Sequence, residues 1–330
     1  MTAAIGRTVP PAPAVAPSVA SASAVAPPVA EYGTGLQVTR VTPTADGRYE
    51  WWQGPGPDRP EPLTAPFASY VPRPTRGARG ACFATPRPEG DGLTYLADGP
   101  YSAAAWLRDA RPQARLLVAH ALAAAGTALR ELHTTDAPTA DVPPALARLR
   151  SFVEGRDPAS AEPAAVRRLR EHVVRAWGPA RLERLGAWCA ELAAPGETAF
   201  VHGFASLGAL VPPLHRGPVA LLTGEDLGAG RPELDLGWLL GDLAELAWAV
   251  PVFGDSPDQG PDLPGVLLDA YGPGVDRELA ARAAVLRIAL HMRDFAAYCG
   301  WSDELIDYTA FIADLIDEEG RRAVPGGATP

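Results

Sequence analysis

The sequence predicts an α+β protein of two lobes, the first small and rich in strands, the second larger and mostly helical. Three observations predict it. Short strand-like segments bounded by Gly and Pro run from Leu36 to Leu96, a hinge-like Asp98-Gly99-Pro100 follows, and beyond it apolar residues recur at helical spacing as far as Glu319. A chain of 330 residues is also long enough to divide its core between two units.

Residues 1–31 are Ala, Pro, Val and Ser in the main, with prolines interrupting every apolar run, and are expected to be a disordered tail. In the small lobe, residues 32–97, Leu36 to Val41 alternates and Asp46-Gly47 marks a turn. Tyr49-Glu50-Trp51-Trp52 then returns as a hairpin partner. Ala68 to Val71, Ala81 to Ala84 and Leu93 to Leu96 are further strand candidates. The Pro- and Arg-rich run from Pro72 to Gly80 lacks the propensity for a helix, and its Arg73, Arg76 and Arg79 read as solvated or as facing an anion.

The large lobe spans residues 98–320, with residues 321–330 expected as a flexible tail. Ser102 is placed to cap a helix over Ala103 to Leu107, and past Pro112 a long helix carries Leu116, Ala119, Leu122, Leu129 and Leu132 to its end at His133. A polar link over Thr134 to Pro144 precedes two amphipathic helices broken at Gly178-Pro179. After a Gly/Pro/Asp loop beyond Pro251 come helices over Asp276 to Tyr298 and Ser302 to Glu319, on which Arg287, His291 and Asp294 read as a solvated or interhelical face.

Function is concentrated in Phe200 to Val250. A strand ends at His202-Gly203, a loop leads to Ala209-Leu210-Val211, a second strand covers Val219 to Leu222, and Arg231-Pro232 precedes Asp235-Leu236 and an apolar helix from Trp238. This layout resembles the aminoglycoside phosphotransferase and choline kinase-like branch of the protein kinase fold. In that family the first loop reads His-Gly-Asp, then four residues, then Asn; the second strand ends in a magnesium-binding Asp; and Arg-Pro-x-x-Asp-Leu leads into a buried helix. The resemblance implies the two-lobed protein kinase-like fold, a structural role for His202, and a bracing role for Asp235, which the residues alone read as a helix N-cap.

The resemblance also implies what is missing. Phe204 stands for the catalytic Asp, Ala209 for the metal-holding Asn and Thr223 for the main metal-binding Asp. Phosphoryl transfer needs groups that place magnesium on the phosphates and a carboxylate that orients the attacking hydroxyl. Lysine is absent, the 29 basic residues all being Arg, so the phosphate-anchoring Lys cannot be present either. Glu225 and Asp226 are the only acids near the expected metal position and are the candidates for a displaced magnesium site; the competing reading is a solvated pair whose side chains diverge.

A formal net charge of -10 argues against a nucleic-acid backbone as partner. No apolar run is long enough to span a membrane. Cys82, Cys189 and Cys299, three in number without metal-like spacing, read as reduced, buried thiols of a cytoplasmic protein. Three functional readings follow. The first is a pseudokinase acting as a binding or activating subunit for a protein or peptide partner. The second is an unorthodox ATP- and magnesium-dependent phosphotransferase using Glu225, Asp226 and arginines on Ser/Thr of a precursor peptide, with a partner lyase. The third is a small-molecule binder without catalysis. The Leu-Leu-Thr-Gly-Glu-Asp-Leu and Asp-Leu-Gly-Trp-Leu-Leu-Gly texture is similar to kinase-like subunits of class V lanthipeptide and thioamitide pathways, which implies a peptide-modifying setting.

Overall fold

The computed structural model describes residues 27–73, 80–156, 163–194, 198–249 and 260–324. Most of the expected tail, and Arg76 and Arg79, lie outside them. The chain begins with β1 (Ala30–Gly33), β2 (Gln37–Pro43) and β3 (Tyr49–Pro55), and after a long connection come β4 (Ala81–Ala84), β5 (Arg87–Glu89) and β6 (Gly92–Ala97). Five of these form an antiparallel sheet in the order β1-β2-β3-β6-β5. Alternation sets the register: Val41, Trp51 and Tyr95 lie side by side across three strands and are all buried.

Three expectations for the small lobe need correction. The first hairpin is β1 and β2, joined through Thr34-Gly35-Leu36, so the tail boundary set at residue 31 falls inside a strand. Ala68–Tyr70 is a single 3-10 turn rather than a strand, its residues closing on Ala65 and Phe67 instead of on a neighbouring strand. The strand Ala81–Ala84 exists but leaves this sheet: it pairs in parallel with a strand of the large lobe. Tying the lobes together through β4 buries Phe83 and Ala84 between them.

The large lobe comprises α1 (Ala103–Trp106), α2 (Pro112–His133), α3 (Pro144–Glu154), α4 (Ala164–Leu192), β7 (Ala199–Val201), β8 (Leu210–Val211), β9 (Val219–Leu222) and β10 (Gly228–Gly230). It continues with α5 (Glu233–Ala249), α6 (Leu263–Tyr271), α7 (Arg277–Tyr298) and α8 (Glu304–Asp317). Ser102 caps α1, its Oγ accepting from Ala105 N at 3.3 Å. The two amphipathic helices expected here are present as the two halves of α4, broken at Gly178, whose φ of 69° and ψ of 175° are not helical. Two helices escaped the sequence reading. α3 was hidden by arginines between its buried Leu146, Leu149 and Phe152, and α6 by the Gly and Pro around and within it.

β8 and β9 form the antiparallel hairpin that β4 completes, and β7 pairs with β10. α5 runs through the centre, with Leu236, Trp238, Leu239 and Leu240 wholly buried. Past α8, Ala323 and Val324 are buried against the large-lobe core, so residues 321–324 do not belong to the flexible tail expected from residue 321. Cys189 is buried, as expected; Cys82 is only partly so, and Cys299 at the end of α7 is exposed, because the helix stops there. Among the described residues no helix is long and apolar enough to cross a membrane.

Candidate functional site

The loop after β7 is held by two carboxylates of α5. Asp235, fully buried, accepts from the backbone N–H of His202 at 2.7 Å and of Gly203 at 2.8 Å, and meets Nε2 of His133 at 3.0 Å. Asp242, seven residues along the helix, accepts from Leu207 N at 2.7 Å and pairs with Arg287 at 2.7 Å. Burial raises the Asp242 pKa, against the pull of that guanidinium. Gly203 makes the turn with φ of 75°, and a Cβ there would sit 1.9 Å from the carbonyl oxygen of Asp226. Asp235 therefore lies within the first turn of α5 and braces the loop. It is not the helix N-cap.

His202 is 3 % exposed, and burial lowers its pKa, which disfavours the charged ring. A carbonyl can only accept; Nε2 therefore donates to Leu222 O at 3.0 Å, and Nδ1 is buried with no hydrogen-bond partner. That is a structural bond between the loop and β9.

The three altered positions meet on one wall of the interlobe cleft. Phe204 lies in the cleft with the Arg287 guanidinium over its ring at 5.6 Å. Ala209, beside β8, offers a methyl group. Thr223 does carry an oxygen, but its hydroxyl donates to Ala84 O at 3.1 Å and its carbonyl accepts from Tyr95 OH at 2.6 Å. The side chain is committed to the β4–β9 junction.

Glu225 and Asp226 diverge. Glu225 receives both outer nitrogens of Arg59 at 2.9 and 2.6 Å, a fork-to-fork pair across the lobes. Asp226 turns the other way and accepts from Ala145 N at 2.7 Å in the first turn of α3. Its pKa is pushed up to about 6, chiefly by burial, with Arg148 opposing. Among the described residues no group of three or more His, Cys, Asp or Glu could hold a metal ion. The donor set does not fit a magnesium-nucleotide complex, because the nearest carboxylates are already engaged elsewhere.

The cleft itself has a volume of about 800 Å³. Glutamine and hydroxyl side chains line it beside Phe204, Tyr298 and two aromatics at its mouth, Tyr32 and Tyr101. The β1–β2 loop closes one side. Gly35 N donates to Tyr298 O at 3.1 Å, and a Cβ at residue 35 would come within 2.0 Å of Asp58. Three residues of this site were not foreseen: His133, Asp242 and Arg59. Asp242 left a signal, since an acid seven residues after Asp235 shares its face of an otherwise apolar helix.

No protein-family model matches the sequence, and no curated protein matches it in sequence. Solved structures do match. The Plasmodium vivax ethanolamine kinase aligns with a TM-score of 0.50 at 12% identity, over 87% of this chain and 81% of the other. A choline/ethanolamine kinase family protein of Mesorhizobium loti gives 0.44 at 15% over 91% and 88%, and an aminoglycoside phosphotransferase of Streptomyces rimosus 0.39 at 19% over 76% and 89%. With a strand-rich small lobe, a helical large lobe and the cleft between them, this chain has the protein kinase-like fold seen in that ethanolamine kinase.

Proposed function

We propose that this protein is a pseudokinase: a kinase-fold subunit that binds a protein or peptide partner and does not transfer phosphate. One observation carries this reading. At the cleft wall a phenyl ring, a methyl group and a committed hydroxyl stand where transfer requires a base and charged metal ligands, while Glu225 and Asp226 are held by Arg59 and Ala145. The cleft joins an apolar lining to Gln37, Gln53 and several hydroxyls beside the exposed Tyr32 and Tyr101, which suits an occupant with both apolar and hydrogen-bonding groups. The sequence texture around Thr223 and Asp235 supports a peptide-modifying complex as the setting.

The alternative, phosphotransfer through Glu225 and Asp226, draws support from the raised pKa of Asp226 beside the cleft. Labelled ATP, magnesium and candidate Ser/Thr peptides should give no transfer above a heat-killed control. Transfer that vanishes in a Glu225→Gln, Asp226→Asn variant would establish the alternative.

A further inference from the structure

We propose that Trp51 is a resident occupant of the hinge-side space between the lobes, and that it keeps flat, N–H-donating heterocycles, purines included, out of that space. The inference deepens the pseudokinase reading, but its test reads binding rather than transfer, so the two can fail separately.

Trp51 projects from the middle of β3 and is 1% exposed. Val41 and Tyr95 flank it in the sheet. The cluster it belongs to also contains Val211, Ala220 and Leu222 from the β8–β9 hairpin, so the side chain lies in the seam where the lobes meet. Its indole N–H donates to Gly99 O at 2.9 Å, in the hinge. A strand residue thus reaches across and satisfies a hinge carbonyl 48 positions away.

Two neighbouring hinge positions are also poor partners for a ligand. The carbonyl of Asp98 accepts from Leu214 N at 2.9 Å, and Pro100 has no N–H. A heterocycle arriving here would find the Asp98 and Gly99 carbonyls each already accepting a hydrogen bond and the apolar space filled. Leu63, Leu93, Tyr95 and Leu222 belong both to the cluster around Trp51 and to the cleft wall, so the indole packs among residues that line the cleft.

Removing the side chain should convert it into a ligand site. An apolar cavity of roughly 150 Å³ lined by aliphatic and aromatic groups stays dry and accepts a small aromatic molecule, and an indole leaves a space of that kind here, with the Gly99 carbonyl restored as an acceptor at its end. Phosphates would gain little on the other side of the cleft, where Gly35 N is bonded to Tyr298 O and Arg59 to Glu225; Arg108 lines the cleft as an exposed guanidinium.

The test titrates free indole against the wild type and the Trp51→Phe, Trp51→Leu and Trp51→Ala variants, by calorimetry and by the shift in melting temperature. The wild type and Trp51→Phe should show no saturable binding. The Ala variant should bind indole roughly tenfold or more tightly than the wild type and be stabilised by it. Should Ala prove too disruptive, Leu leaves part of the ring space open and should respond in the same direction. Three results would overturn the proposal: indole binding the wild type as tightly as the variants, a folded Ala variant that ignores indole, or failure of both the Ala and Leu variants to fold even with indole present.

Discussion

Asp235 has three donors converging on it, two of them backbone N–H groups. Replacing it by Ala strands all three in a buried place, where each unsatisfied group costs about 1–3 kcal/mol, so Asp235→Ala should lose about 3 kcal/mol or more in urea unfolding, and Asp235→Asn less. A near-wild-type Ala variant would contradict the bracing role. Asp226 makes a prediction about pH. Its folded pKa of about 6 lies above the roughly 3.9 of an unfolded carboxyl, so its contribution is complete below about pH 4 and is lost as pH rises through about 6. Asp226→Asn keeps an oxygen for Ala145 N and cannot ionise. The variant should match the wild type near pH 4 and exceed it by about 2–3 kcal/mol above pH 6; a pH-independent difference in melting would refute this. The sequence frame marked Asp235 because its partner loop begins only 33 residues earlier in a recognisable order. It could not mark His133, which joins from 102 residues away.

Between elements, the lobes are fastened by β4 on β9 and by the Arg59–Glu225 pair, whose side chains are 14% and 29% exposed. A bidentate pair this enclosed should exceed the few tenths typical of a surface bridge. A double-mutant cycle of Arg59→Ala and Glu225→Ala in chemical unfolding should therefore give a coupling energy of about 1 kcal/mol or more. Additive losses would show that the pair does not fasten the lobes. Strand and helix identities were largely legible, because period 2 in Leu36 to Val41 and period 3.6 in Leu116 to Leu132 are local properties. The pairing of Ala81–Ala84 was not. A four-residue apolar strand carries no mark of which sheet it will join, and only the meeting of Ala84 O with Thr223, 139 residues on, decides it.

In the whole molecule, a kinase-like scaffold surrounds a cleft lined by Phe204, Ala209 and Thr223. Asp235, Asp242 and His202 hold the loop geometry; Phe204 and Ala209 bring no side-chain oxygen to the cleft, and the Thr223 hydroxyl is bonded to Ala84 O. That substitution pattern was readable from the sequence, since it is a matter of residue type at fixed offsets. The closed hinge and the Gly35–Tyr298 contact were not, since both depend on how the lobes meet. A positioned general base contributes roughly 10²- to 10⁴-fold and the electrostatic clamp on the transferring group usually more, so losing both should leave no measurable turnover. The most direct test is equilibrium binding of ATP to the purified chain, with and without magnesium, followed by labelled transfer to a Ser/Thr peptide. No magnesium-dependent binding and no transfer above the heat-killed control is the predicted result; magnesium-dependent ATP binding with transfer to the peptide would contradict the account.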